Sequence, residues 1–514
     1  MKGGAMTAMD GVSAGDREIL RRLAGALAAA AADPVNGERA RQWRALNDRQ
    51  PERAMVWINE VPWHEMDVDG ELALQCEGAW ARKLEREWRR TVYQWRHFQG
   101  DMVVSPFVAC PLAVHTTRVV PDEVVDVVRT DAASAVVSRH FHAQIRDLGD
   151  LSLIRDPEVT VDRAVTEAGR ELLSGIVDGV MPVRVTGIKG HWFTPWDYLI
   201  RLWGVEAAMM DLIERPEMVN AFVSRYVEAS LRMLDQWEAL GVLDRNDDNT
   251  RVGSGGYGYV TGLSDSSGEP DRADGFVGRS ARQLWGCSNA QIFSEVSPDM
   301  HWEFALKHDV PWFARWGLGY YGCCEPLDRK LDILRRIPNL RKISMSPWAK
   351  LDRAAEQTRG DYVLSFKPSP AIFATDDWQP EQARQVLRRA LEQARGCPLE
   401  IIMKDISTVR YQPRRLWEWA AIAREEVERE EGGGEGEGNR LSVTIDRGGA
   451  DVSRRERLIE AKRLYREGLN CRTQNKEPQI GEVRSGLCCS PLLVRNFCGS
   501  VQSAAWPRRG WTLT

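Results

Sequence analysis

Apolar positions along this chain fall into two alternating patterns. Short runs rich in β-branched and aromatic residues recur at "AMVWINEV" (54–61), "DMVVSPFVA" (101–109), "MPVRVTG" (181–187), "VPWFARWGLGYYG" (310–322), "RKISMSP" (341–347), "DYVLSFKP" (361–368) and "LEIIMKDIS" (399–407). Runs of this kind predict buried strands. Between them the period becomes helical. In "RPEMVNAFVSRYVEASLRML", Val219, Phe222, Val223, Tyr226 and Val227 make one apolar stripe behind Pro216, a residue suited to a first helical turn. "TPWDYLIRLWG" offers Thr194 as cap, Pro195 at the first helical position, Asp197 three residues after the cap and Gly204 as stop. Strands alternating with helices imply parallel pairing, and the number of units over this length favours a (β/α)8 barrel over a doubly wound sheet.

The two ends read differently. "GDREILRRLAGALAAAAADP" and "GERARQWRALNDRQPER", stopped by Pro34 and Pro51, predict an N-terminal helical extension over 1–50, ahead of a barrel over 51–430. From "REEGGGEGEGN" onward, residues 431–514 read as an acidic-glycine linker and a disordered tail with few apolar periods. Cys471, Cys488, Cys489 and Cys498 fall there without a CxxC spacing, so no zinc knuckle is expected.

Composition narrows the classes. A chain of 514 residues, 43% hydrophobic, can bury a large core. Its net charge of -5 gives no basic footprint, which argues against nucleic-acid binding. No window approaches the roughly 20 apolar residues of a membrane span, and "MKGGAMTAMDG" with its charged sequel lacks the order of a signal peptide. The expected location is cytoplasmic, where ten cysteines are read as thiols or ligands rather than disulfides.

Candidate chemistry gathers at the predicted strand ends, the face on which barrel active sites lie. In "GLGYYGCCEPLD", Cys323 and Cys324 can both reach one pocket only if the strand stops at Gly322, because consecutive strand residues point to opposite faces. A helix starting in "PLDRKLDIL" would lower the pKa of either thiol. Lys367 in "SFKPSP" and Lys404 with Asp405 in "MKDIS" close apolar strands, where burial is costly unless they face a polar pocket or each other. Glu295 precedes the Ser297-Pro298 helix start, and His191 follows the "VRVTG" strand. Trp57, Trp63, Trp192 and Trp196 border strand ends and could wall a planar ligand. "GSGGYGY" (253–259) lacks the Lys-Ser/Thr and helix start of a phosphate loop, and His301 and His308, inside a predicted helix, read as structural.

Several consecutive segments resemble the uroporphyrinogen decarboxylase-like superfamily, including its cobamide-dependent, zinc-containing methyltransferases. "VTGIKGHWFTPWDYLIRLWG" is similar to the family's strand, turn and helix, and "ERPEMVNAFVSRYVEASL" to its next helix. "IFSEVSPDMHWEFALKH" resembles its Ser-Pro helix entry, and "GYYGCCEPLDRKLDILRRIPNLRKIS" the strand bearing His-x-Cys-Gly. The resemblance covers residues 53–430 and implies a (β/α)8 barrel, a zinc-bound thiolate and a corrinoid as methyl donor. The departures matter as much. "VWINEVPWHE" supplies Asn59, Glu60 and Glu65 where the decarboxylases carry an arginine clamp, and Ser105-Pro106 stands in the region of their aspartate, which argues against a polyacidic tetrapyrrole. Tyr321-Gly322-Cys323 stands for His-x-Cys, and Lys404-Asp405 for a late Gly-Cys.

The expectations are therefore a methyltransferase-type barrel enzyme, with a decarboxylase or lyase acting on a small carboxylate or tetrapyrrole-like substrate, or a non-catalytic binding barrel, as alternatives. Cys323, Lys404, Asp405 and Glu295 are the expected catalytic residues. Trp57, Glu60, His191, Tyr321 and Lys367 would contact substrate, and Cys323 and Cys324 would hold zinc. Expected partners are a small-molecule substrate, a corrinoid protein and a second copy of the chain.

Overall fold

The computed structural model describes residues 12–128, 138–263 and 278–433. The tail predicted from 431 onward lies outside these residues apart from the last turn of a helix, Arg414–Gly433. The strands, in chain order, are β1 (Met55–Ile58), β2 (Val108–Pro111), β3 (Ala113–Thr116), β4 (Val125–Val128), β5 (Ser138–Phe141), β6 (Val159–Asp162), β7 (Val183–Thr186), β8 (Trp285–Ser288), β9 (Leu318–Tyr321), β10 (Leu340–Met345), β11 (Val363–Phe366) and β12 (Leu399–Met403).

Six of them form one parallel sheet in the order β1-β12-β11-β10-β9-β8. Helices connect most of its strands, so the fold is mixed α/β. The eight-stranded barrel expected from the sequence is seen only in part, because continuous ladders stop at β1 and β8. Beyond those edges the links are local. Asp101 donates its N–H to Val56 O at 2.8 Å, β2 pairs in parallel with β7, and Ile188 bridges Leu243. The Asn246 amide then ties that segment to the main chain of Trp285 on β8. A two-stranded antiparallel pair, β3 with β6, and another, β4 with β5, stand apart from the sheet.

Strand alternation gives the sheet two unlike faces. Val56, Ile58, Ile343, Met345, Leu364, Phe366, Ile401 and Met403 all enter one apolar cluster with helix residues such as Leu387, Leu416 and Trp419. The other set, in register across the sheet, carries Lys342, Ser344, Tyr320, Ser365, Lys367, Glu400 and Lys404. This inner face is buried as completely as the apolar one.

The helix Val35–Asn47 of the N-terminal extension is joined to that inner face. Trp43, fully buried, donates its indole N–H to Asp101 O at 2.8 Å and packs with Met55, Val363 and Tyr257. The "GSGGYGY" loop fills the remaining space, and its glycines are needed for contact rather than for phosphate. A Cβ on Gly256 would lie 2.3 Å from the Trp43 ring, and one on Gly258 2.0 Å from Asn246 O.

Candidate active site

β9 ends at Tyr321, and Gly322 follows with φ of +98°, so the chain turns at the residue on which the two-thiol reading depended. Both thiols come to one cluster. Cys323 Sγ lies 3.6 Å from Cys324 Sγ and 3.4 Å from Lys404 Nζ. Lys404, just past β12, also stands 2.9 Å from Asp405 Oδ2 and 3.5 Å from Glu60 Oε2. Cys324 Sγ is 3.8 Å from Asp405 Oδ2, and Arg251 approaches Glu60 Oε1 to 3.5 Å. Ile58 pairs with Met403, so Glu60 and Asp405 sit opposite one another two residues beyond their strands. Both have left-handed backbones, φ +54° and +56°. Such strain in non-glycine residues concentrates where the surrounding structure holds a functional geometry.

The electrostatics single out Cys323. A hydrogen bond from the Cys324 thiol draws it below the ordinary thiol range, against its burial and with help from the Lys404 ammonium. The same hydrogen bond holds Cys324 protonated, well above its usual value. Burial opposes the charge on Lys404, but Cys323, Glu60 and Asp405 together keep it firmly protonated. Burial raises the Glu60 carboxyl, whereas Asp405 is held low against burial by Lys404. The unit is a thiol of lowered pKa with a thiol donor on one side and an ammonium on the other. The expected helix-dipole contribution is absent, because the helix after "EPLDRK" is only Leu331–Leu334 and begins well past the thiols.

Lys367 lies on the same face. Its Nζ donates to Tyr320 OH at 2.7 Å, Ser344 Oγ at 2.8 Å, and Ser365 O and Oγ at 3.1 and 3.2 Å. Burial, the largest influence, brings its pKa down to about 8. Ser344 Oγ also donates to Cys323 O at 2.7 Å, linking the lysine to the thiol segment. Trp57 points inward and packs on Tyr257 with ring centroids 4.8 Å apart.

Three expected residues are not brought to this cluster. Tyr321 faces the helices, bonded through its hydroxyl to His301 Nε2 at 2.7 Å; strand alternation gives the inner position to Tyr320 instead. His191 packs between Trp237 and Trp312, and burial pushes its imidazole down to about 4. Glu295 is exposed, and its charge is felt by Lys330 rather than by the thiols. Sequence reasoning missed Tyr320, Ser344, Ser365 and Ser254. The available signal was small polar residues at inward parity within otherwise apolar strands.

A zinc ion does not fit here. Among the described residues no group of three or more His, Cys, Asp or Glu side chains is placed to hold a metal. The Lys404 ammonium lies against Cys323, so a divalent cation bound at about 2.3 Å from that sulfur would face a fixed like charge. Two cavities lie elsewhere. One of about 640 Å³ adjoins Asp197 and Arg201, and one of about 400 Å³ adjoins Ser174 and Met181. No helix among the described residues is long and apolar enough to cross a membrane.

No protein-family model matches the chain, and no curated protein matches it in sequence. Among solved structures it is similar to a methyltransferase from Methanosarcina mazei, at 12% identity over 59% of this chain and 75% of that one, with a TM-score of 0.34. A likeness of that size says nothing about chemistry, which has to be argued from the residues.

Proposed function

We propose that the chain is an enzyme of the methyltransferase type whose nucleophile is the Cys323 thiolate, working without zinc. The observation that carries this is the placement of Cys323 Sγ 3.4 Å from a buried ammonium and 3.6 Å from a thiol donor. In the resembled methyltransferases a metal makes the thiolate; here Lys404 and Cys324 do so, since an adjacent cation and a hydrogen-bond donor both favour the charged sulfur. The thiolate attacks an electrophilic carbon, an S–C bond forms, and the bond from that carbon to its donor breaks with its electron pair leaving on the donor. Lys404 offsets the charge that migrates, and Glu60 and Asp405 hold Lys404 in place. A methylcorrinoid is the donor class that the sequence resemblance implies. In the same reading the six-stranded sheet and the linked segments at Asp101, β7 and Leu243 make one barrel, with the thiols at its carboxyl mouth.

The test is a single incubation of the full-length protein with methylcobalamin and no second substrate, followed by peptide mass spectrometry. Methylation of Cys323, lost in Lys404→Met, is expected. Protein that remains unmethylated while iodoacetamide still labels Cys323 would remove methyl transfer and leave the lyase reading, which the Lys367–Tyr320 pair favours because an amine of pKa about 8 beside a phenol can move a proton near neutral pH.

A further inference from the structure

Three lysines are buried on the inner face, and two of them are held directly by carboxylates. Lys342 is paired with Glu400 at 2.9 Å, and Lys404 is surrounded by Glu60, Asp405 and Cys323. The contacts of Lys367 Nζ among the described residues are all neutral: Tyr320, Ser344 and Ser365. Cys323 and Glu400 favour its charged form through space, but neither bonds to it, and a buried ammonium is costly unless an anion meets it directly.

A second observation points to such an anion. Ser346 Oγ and both side-chain polar atoms of Asn289 are buried without a hydrogen-bond partner, in residues 0% and 1% exposed. Native proteins rarely leave such groups unpaired unless a ligand or water completes them. Their positions follow from the ladders. Lys367 donates its N–H to Met345 O, which sets Ser346 beside Lys367, and Gly322 donates to Ser288 O, which sets Asn289 beside Gly322. Ser346 and Asn289 thus flank the Gly322–Cys323 turn from the strands on either side, with Ser344 joining Lys367 to Cys323 O.

We propose that this part of the inner face is a subsite for the carboxylate of a small organic-acid substrate, held by Lys367, Ser346 and Asn289 so that its neighbouring carbon faces Cys323. The donors match an anion, since the ammonium, the hydroxyl and the amide NH2 can all donate. The inference rests on the reading of Cys323 as the nucleophile and names the class of molecule that it meets.

The experiment compares two alkylating agents that differ only in the anion, iodoacetate and iodoacetamide, on the full-length protein. Each reacts by one displacement, with the Cys323 S–C bond forming as C–I breaks and iodide leaves. Iodoacetate is expected to label Cys323 faster, with saturation, and acetate to protect against it while acetamide does not. One charge-assisted hydrogen bond corresponds to roughly tenfold in rate or affinity, so in Lys367→Met the iodoacetate-to-iodoacetamide ratio should fall by about that factor. Ser346→Ala, a milder change that tests folding, should lower the same ratio by a smaller factor. Faster labelling by iodoacetamide in the wild type, with Cys323 still the labelled residue, would overturn the subsite and spare the thiolate reading. If neither reagent labels Cys323, the thiolate reading fails, and the subsite is judged separately by thermal unfolding. Acetate should raise the midpoint of the wild type more than acetamide does, by binding the folded state alone, and equal shifts would overturn the subsite as well.

Discussion

Lys342 and Lys367 lie on the same inner face, on adjacent parallel strands, and both are almost completely buried. Lys342 is closed on every side. It pairs with Glu400 at 2.9 Å, donates to Tyr257 O at 3.2 Å, and stands over the rings of Trp43 and Trp285 at 5.8 and 5.5 Å. Glu400 in turn accepts the Gly256 N–H at 3.1 Å. Lys367 has no carboxylate bonded to it, and the unpaired side chain of Ser346 belongs to the residue set beside it by the ladder. The difference separates architecture from chemistry. A buried cation paired directly with a carboxylate of the fold stabilises a particular packing, whereas one bonded only to neutral groups leaves a direct anion contact to be made from outside.

The comparison is sharpest when the closed pair is opened. Glu400→Gln keeps the shape and the hydrogen bond to Gly256 but strands the Lys342 charge among Trp43, Trp285 and Tyr257. It should destabilise the fold by about 3–5 kcal/mol, the usual cost of removing one partner from a buried ion pair. Chemical denaturation should show most of that loss recovered in the double replacement Lys342→Met with Glu400→Leu, since a buried pair can be exchanged for apolar residues at little net cost. A Glu400→Gln variant as stable as wild type would mean that the pair is not what holds this end of the face.

Opening Lys367 should give the opposite pattern. Burial lowers its folded-state pKa to about 8, against about 10.4 in an unfolded chain. Between those values the unfolded state binds the extra proton, so folding stability from this group rises as pH rises from about 8 toward 10.4. Below pH 8 both states are protonated and the whole penalty, on the order of 3 kcal/mol, is present. In Lys367→Met that penalty is gone. The variant's advantage over wild type should therefore be largest near pH 7 and shrink as pH rises past 10. Thermal midpoints of the two proteins across that range check the sign, and an advantage that grows with pH would contradict it.

The outer face was legible in the sequence because a single rule produces it. Apolar side chains at alternate positions must meet helices, and the runs around Ile343, Leu364 and Ile401 say so directly. The inner face follows the same alternation but carries Ser344, Ser365, Lys367 and Glu400, whose partners come from distant strands. Parity alone could not choose between Tyr320 and Tyr321, because the other residues of β9, Leu318 and Gly319, carry no polar side chain to mark its inner face. Parity could not tell which lysine finds a carboxylate, since Lys342 meets Glu400 only through the long-range pairing of β10 with β11 and β11 with β12. His191 was misjudged for a related reason. Its place after a strand suggested the mouth, but Trp237 and Trp312 enclose it from two helices far along the chain.

The smallest expected effect concerns Asp405, the carboxylate that meets both Lys404 and Cys324. Its carboxylate competes with Cys323 for Lys404 at 2.9 Å and faces Cys324 Sγ at 3.8 Å, so the Cys324 hydrogen is drawn between two anions. Asp405→Asn removes one of them. The Lys404 ammonium and the Cys324 donor then serve Cys323 more fully, and loss of a neighbouring negative charge favours the thiolate. Iodoacetamide labelling of Cys323 at a fixed pH below its titration should therefore speed up, by roughly two- to fivefold for one partly solvated charge. The pH profile should move to lower pH, while Lys404→Met moves it the other way. Slower labelling in Asp405→Asn would show that Asp405 holds Lys404 in position more than it competes for it, and that the cluster depends on all its charges as Lys342 depends on Glu400.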